Sequence, residues 1–279
     1  MPTPGKSLVG FMEQQAAINY LKSSCVPVGN GDDATLIAEW QAARSKIGAP
    51  MPKAGNPEIQ DIPPSHAAYI GFLATLPWVA NALNSTLSGA VFRLVEIDPL
   101  LAFQFAIDDG RSNHHCAPLD KPPTLDQLLQ ICLPLNPPEE PIQISQGPQS
   151  MLITSRSLNF KALSQGFINR AFVGMQVGVA LPLMHVVRMN GRCYLHNGFH
   201  RAYGARLAGA THVPCIFRDV LDAPAVGINP PNTFDQALLE SDGAPTLGHY
   251  CQGRAHDVSL RILTRTLHVS WAEYVVSAE

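Results

Sequence analysis

Apolar residues near the start of the chain recur at the three- to four-residue spacing that is typical of amphipathic helices. This pattern predicts short helices over residues 7–22 and 33–47, the second capped by Asp33. Three apolar side chains of the second segment fall on one helical face: Leu36, Ile37 and Trp40. A longer apolar run over residues 66–84 predicts a third helix, with a kink at Pro77 because proline lacks the backbone N–H that a helix needs.

The pattern changes to β-forming residues near residue 88. Residues 91–97 are rich in Val, Phe and Ile and end at Asp98-Pro99, which predicts a strand and its stop. Four segments follow: polar turns at 108–123, a short helix at 124–133, a proline-rich loop at 134–149 and a helix at 157–170.

The clearest local signal is a β-hairpin in the second half of the chain. Two extended runs, 185–189 and 192–196, flank Asn190-Gly191, which favours a type I′ turn because both turn residues need positive φ. Three elements are predicted after it: a helix over 199–208 ended by Gly209, a strand over 213–217 and further β-structure over 258–269.

Together these elements predict an α/β (α+β) fold with a small mixed sheet. We expect three parts along the chain: a helical N-terminal region over residues 1–87, a core over 88–220 and a C-terminal extension over 221–279 that ends in a β-strand.

Charge is distributed unevenly along this chain. Residues 141–218 carry eight Lys and Arg and no Asp or Glu, although the whole protein has a formal net charge of −3. Such a segment is either a low-charge buried core or a surface that receives an anion, such as nucleotide phosphate or nucleic acid. The overall acidity argues against a protein that coats DNA in general.

Cysteine usage and hydropathy indicate a cytoplasmic protein. The six cysteines are scattered without a C-x-x-C pair, which predicts reduced thiols and neither a disulfide framework nor a zinc knuckle. The first ten residues lack the basic-then-apolar layout of a signal peptide. The apolar run over 67–83 is interrupted by Pro77 and Asn81, so we expect a buried helix and no membrane partner.

The turn at Asn197-Gly198 is the segment most indicative of chemistry, because it joins the predicted hairpin to the predicted helix. Free backbone N–H groups and the positive end of the helix dipole meet at such a turn. Gly198 lets an anion approach the backbone, and His200 and Arg201 add donors in the first helical turn. A cation at a helix N-terminus is unfavourable by about 0.3–1 kcal/mol, and a bound anion reverses that penalty. The turn therefore predicts a phosphate site.

The run Tyr194-Leu-His-Asn-Gly-Phe-His-Arg201, followed by Val213-Pro214, resembles the ParB/sulfiredoxin superfamily. Its members share a strand, a G-x-[HR]-R turn, a helix and a Val-Pro strand, and their turn binds ATP in sulfiredoxins and free-serine kinases and CTP in ParB proteins. The resemblance implies a fold of this type over 88–220 and binding of ATP or another NTP, with Mg²⁺ to offset charge. It assigns the phosphates to five residues: Asn197, Gly198, Phe199, His200 and Arg201.

The resemblance also suggests catalytic residues. The kinase branch uses an acidic residue near the end of the first core strand, where this chain has Glu96 and Asp98, and we add His200 as a third candidate. The alternative for Glu96 is a solvent-facing strand residue. Phe199 stands where sulfiredoxins place their reactive cysteine, so repair of a sulfinic acid is not expected.

Three functions remain open from the sequence. The preferred one is an NTP-dependent phosphotransferase or phosphohydrolase that acts on a small molecule. The second is a ParB-type DNA-binding or nuclease module, although Phe199, His200 and Tyr203 replace characteristic residues of the ParB turn, G-E-R-R-x-R. The third is a non-catalytic member that binds a ligand or a protein. No metal site is expected at His114-His115-Cys116, because neighbouring residues in a strand point to opposite faces.

Overall fold

The computed structural model describes residues 2–27, 29, 31–76, 79–80, 83, 89–136, 141–155, 157, 160–169, 172–179, 183–262 and 264–274. The chain divides into two compact units. Unit 1 comprises Met1–Leu135 with Leu183–Arg261, and unit 2 comprises Asn136–Pro182 with Ile262–Glu279. The predicted boundaries at residues 87 and 220 both fall within unit 1, and the first segment of unit 2, Asn136–Pro182, interrupts the predicted core.

The fold is mixed α+β, which confirms the predicted class. The helices of the described residues are α1 Gln14–Ser24, α2 Asp33–Lys46, α3 Ala67–Thr75, α4 Asp109–Cys116, α5 Leu125–Cys132, α6 Phe199–Leu207, α7 Ala223–Val226, α8 Gln236–Glu240 and α9 Leu247–Cys251, with 3₁₀ turns at Val9–Phe11 and Pro64–His66. The strands are β1 Thr3–Ser7, β2 Ile59–Gln60, β3 Val91–Glu96, β4 Ala106–Asp108, β5 Ile142–Gly147, β6 Ser150–Ser155, β7 Phe160–Asn169, β8 Phe172–Val179, β9 His185–Met189, β10 Arg192–Asn197, β11 His212–Asp219, β12 His256–Leu260 and β13 Arg265–Ser270.

Unit 1 is built on a five-stranded mixed sheet in the order β10-β9-β11-β3-β2. The β9–β11 pair is parallel and the other pairs are antiparallel. A second sheet, in the order β12-β1-β4, pairs the N-terminal strand with a strand from the end of the unit, Thr3 opposite Leu260. The segment that follows β3 is buried, and Leu100, Leu101 and Tyr194 are fully enclosed.

Unit 2 contains a three-stranded antiparallel sheet, β13-β6-β5, and the antiparallel pair β7–β8. The prediction of a loop over residues 134–149 is therefore wrong where β5 forms. The prediction of a helix over residues 157–170 is wrong because β7 forms there. Both segments pair with a following strand, and Gly166 sits inside β7, where a helix would be weakened by a glycine.

Other boundaries differ from the sequence prediction for local reasons. The helix predicted over 7–22 begins only at Gln14, because Thr3–Ser7 is a strand. Residues 109–116 form α4 where turns were predicted, since the Asp108 carboxylate accepts the Arg111 backbone N–H at 3.0 Å and so starts a helix.

The predicted third helix is described as α3, in which only Leu73 is buried, so the expectation of a buried helix is wrong for this segment. The predicted kink at Pro77 lies outside the described residues. The bounds predicted for α2, β3, α5 and α6 are confirmed to within one or two residues, but the cap of α2 is Asp32 and not Asp33, because the Asp32 carboxylate accepts the Thr35 N–H at 2.8 Å.

All six cysteines are free thiols, as predicted. Within the described residues, no helix combines the length and the apolar character needed to cross a bilayer.

The hairpin at Asn190-Gly191 is confirmed. The two residues have φ of 51° and 76°, and β9 and β10 pair with Arg192 opposite Met189. The register shifts by one residue between Leu195 and Asn197, so that Asn197 lies opposite His185 just before the start of α6.

Replacing Gly191 by Val tests this turn. The space around Gly191 is open, so the cost arises from placing a β-branched residue at positive φ, and we expect a loss of about 1–3 kcal/mol of unfolding free energy. Gly71 is a matched control, because it also has open space but lies in α3, where Gly71→Val should change stability by less than about 0.5 kcal/mol. Chemical denaturation measures both variants, and equal stability of the two would contradict the turn assignment.

Candidate functional site

The first turn of α6 begins at Gly198, which follows β10 and has a left-handed φ of 106°. No side chain caps the helix, and its first backbone bond runs from the Ala202 N–H to the Gly198 carbonyl at 2.9 Å. The N–H groups of Phe199, His200 and Arg201 therefore have no partner within the helix. This is the arrangement that the sequence predicted for a phosphate site.

Glycine is needed at position 198 for two structural reasons. Its φ is one that side-chain-bearing residues rarely adopt. A Cβ would also lie 3.0–3.1 Å from the Met184 side chain and 3.3 Å from Nη2 of Arg201. The space next to Gly198 is thus occupied by Met184, which corrects the expectation that an anion approaches from this side.

Arg201 lies beneath this turn with only 4% of its surface exposed. Its Nη1 donates to the carbonyls of Ile131 at 3.0 Å and Cys132 at 3.2 Å, at the C-terminal end of α5. The negative end of the α5 dipole therefore stabilises the buried guanidinium. Across the described part of the chain, no carboxylate lies within 4 Å of Arg201.

Helix α4 brings further basic groups to the same place. Burial, followed by the influence of Arg111, lowers the pKa of His200 to about 4, whereas Asp108 acts in the opposite direction. Burial and then Arg201 lower the pKa of His115 to about 4. We call Arg111, His115, His200 and Arg201 the α4–α6 basic cluster. Both of its histidines are neutral at pH 7, and its charge is carried by the two arginines.

Sequence reasoning missed Arg111 and His115 as members of this cluster. They are four residues apart, so they share one face of a helix. The segment was predicted as turns because it is polar and contains Gly110. Recognising Asp108 as an N-cap would have revealed the shared face.

Asn197 and Phe199 hold the turn in place. The Asn197 amide donates to the Leu183 carbonyl at 2.9 Å and fixes the end of β10. Phe199 is buried and packs edge to face on Phe103, with 5.5 Å between the ring centroids. In this structure the ring of Phe199 is part of the core.

The structure does not bring Glu96 and Asp98 to the first turn of α6, where the phosphate site is predicted. Asp98 accepts two hydrogen bonds from Arg206, at 2.8 and 3.1 Å, near the C-terminal end of α6. Arg206 lies seven residues after Phe199, which is about 10 Å along the helix axis. Glu96 accepts the Glu58 backbone N–H at 2.9 Å. Their predicted role as a base at the turn is therefore corrected: Asp98 lies near the opposite end of α6, and Glu96 lies on β3 opposite His212, in the strand that follows α6.

The residues around the turn suit an anion better than a metal ion. Among the residues described, no group of three or more His, Cys, Asp and Glu could hold a metal. His114 and His115 lie on α4 and not on a strand, and their ring centroids are 5.8 Å apart. Asp108 is the acidic group that raises the pKa of His200, and its carboxylate already caps α4. This donor set does not fit Mg²⁺.

The basic segment over residues 141–218 is divided between the two units: its first part belongs to unit 2 and its second part to unit 1. Within unit 1, Arg188 and Arg206 are ion-paired with Asp219 and Asp98. Two of the eight basic residues of this segment are therefore neutralised by carboxylates.

Comparisons with models of protein families, with curated proteins and with solved structures give no match. The resemblance to the ParB/sulfiredoxin superfamily therefore stays a prediction.

The buried histidines predict acid sensitivity. A histidine whose folded-state pKa is depressed stabilises the protein above the ordinary value of 6.5, and this contribution is lost as pH falls toward the folded-state value. For His200 and His115 the window runs from pH 6.5 to about 4. We expect the unfolding free energy, measured by urea denaturation at several pH values, to fall through this window.

His200→Asn should make this pH dependence shallower, because it removes one group that must take up a proton on unfolding. His268→Asn, at an exposed position on β13, should leave the slope unchanged. Identical slopes for the wild type and His200→Asn would show that His200 is not held neutral by burial.

Proposed function

We propose that the start of α6 binds the phosphate groups of a nucleoside triphosphate. The observation that carries the proposal is the Arg201 guanidinium, which is buried, donates through Nη1 to two backbone carbonyls and has no carboxylate partner among the described residues. Its Nη2 lies beside Gly198 at the start of α6, on the side that the Met184 side chain also covers.

A bound phosphate would compensate the positive charge of the buried Arg201 guanidinium. A buried cation needs a partner, and the α5 carbonyls supply only partial negative charge. A phosphate oxygen would add charge-assisted hydrogen bonds worth about 1.5–3 kcal/mol each. It would also reverse the unfavourable contact between the cationic Arg201 and the positive end of α6.

This proposal favours ligand binding without turnover over phosphotransfer. Asp98 lies near the far end of α6 and is neutralised by Arg206, and Glu96 lies on β3 with its carboxylate on the Glu58 backbone N–H. The donors near the turn also do not fit Mg²⁺, so no step of a reaction is derived through a metal. Of the three functions left open by the sequence, the non-catalytic nucleotide-binding protein agrees best with this geometry.

A calorimetric titration tests the proposal. We expect one of ATP, CTP and GTP to bind, and Arg201→Gln to weaken that binding by at least about tenfold. Arg206→Gln is the matched control, because it makes the same charge change on the same helix, and its effect should be under about twofold. Release of inorganic phosphate, measured in parallel, should stay at background.

Several results would overturn the proposal. One is an unchanged nucleotide affinity in Arg201→Gln. Another is that inorganic triphosphate binds as tightly as every nucleotide. Tight binding of duplex DNA at physiological salt that survives Arg201→Gln would favour the ParB-type alternative. If Arg201→Gln does not fold by circular dichroism, Arg201→Lys keeps a donor for the α5 carbonyls and should show the same loss of nucleotide affinity.

A further inference from the structure

Unit 1 contains a cleft whose lining residues do not include those of the first turn of α6. Its volume is about 740 Å³, and it lies between α1, the residues before β4 and the segment that leads into α8. Four aromatic side chains line it: Phe11, Tyr20, Phe105 and Phe234. We call it the aromatic cleft. Its volume falls in the range of small-molecule sites, about 300–1,000 Å³.

The aromatic rings form a connected wall. Tyr20 meets Phe105 and Phe105 meets Phe234 edge to face, with centroid distances of 5.2 and 4.9 Å, and Phe11 meets Phe234 at 6.2 Å. Such contacts hold each ring at a fixed angle. The wall thus presents a preformed aromatic surface.

The cleft is negatively charged. Glu13 and Asp235 contribute carboxylates, and no Lys, Arg or His is found among the described residues that line it. The Glu13 carboxylate has neither a hydrogen bond nor an ion pair within the described chain. Asp235 caps α8 through one oxygen, which accepts the Leu238 N–H at 2.7 Å.

We propose that the aromatic cleft binds a small organic cation, an ammonium group that carries an apolar body. Aromatic faces attract cations through the ring quadrupole. The carboxylates of Glu13 and Asp235 also attract a cation, because neither has a basic partner among the described residues. The same features disfavour anions, so this ligand is of a different chemical class from the phosphate proposed for α6.

A pair of isosteric probes separates charge from shape. Choline carries a quaternary ammonium, and 3,3-dimethylbutan-1-ol replaces that group by a neutral tert-butyl group of equal shape. Saturation-transfer NMR titration should show choline binding with a Kd of about 1 mM or tighter, and the neutral alcohol at least about fivefold more weakly. Equal affinity of the two probes, or no binding of choline, would overturn the proposal.

Variants then locate the site. Phe105→Leu keeps an apolar side chain but removes the ring, and it should weaken choline binding by about fivefold. Glu13→Gln combined with Asp235→Asn, in which asparagine preserves the α8 cap, should weaken choline binding by about two- to fivefold. Glu273→Gln removes one negative charge at an exposed position in unit 2 and should leave the affinity unchanged. Loss of choline binding in Glu273→Gln, or retention in both cleft variants, would place the ligand elsewhere.

Discussion

The hydrogen bonds from Arg201 to the end of α5 are the interaction on which the candidate site depends. Nη1 donates to two carbonyls there, and one of them, that of Cys132, also accepts the Met184 N–H at 2.8 Å. Met184 in turn covers Gly198. The end of α5, the start of β9 and the first turn of α6 therefore share one buried polar centre, and none of them can move without exposing an unpaired carbonyl or the guanidinium.

The same centre has a structural role, to which the proposed phosphate site would add a binding role. The α5 dipole favours the cation, whereas the α6 dipole opposes it, each by about 0.3–1 kcal/mol. Because these two effects nearly offset each other, the charge of Arg201 is left without a full counter-charge. Its Nη1 ties α5 to α6, and no carboxylate pairs with the guanidinium among the described residues. A bound phosphate would supply that counter-charge.

Three acidic groups of unit 1 lie away from this centre, whereas Asp108, at the start of α4, acts on His200. Asp98 lies near the opposite end of α6, and Glu13 and Asp235 lie in the aromatic cleft. The cleft and the turn are nevertheless parts of one core. The Phe234 N–H donates to the Phe103 carbonyl at 3.1 Å, and the Phe103 ring packs on Phe199. Phe234, Phe103 and Phe199 therefore connect the aromatic cleft to the start of α6.

The sequence by itself determined the features that depend on neighbouring residues. Positive φ at Asn190-Gly191 set the hairpin, and the cap at Thr124 set the start of α5, because turn and cap chemistry act within a few residues. The tertiary structure alone decided the pairing of β1 with β12 and the burial of Arg201 against α5. It also decided the position of Asp98. These features join residues far apart in the chain, and no local pattern encodes which distant carbonyl or strand fills a given position. The donors of the turn could thus be read from the sequence, whereas their partners could not.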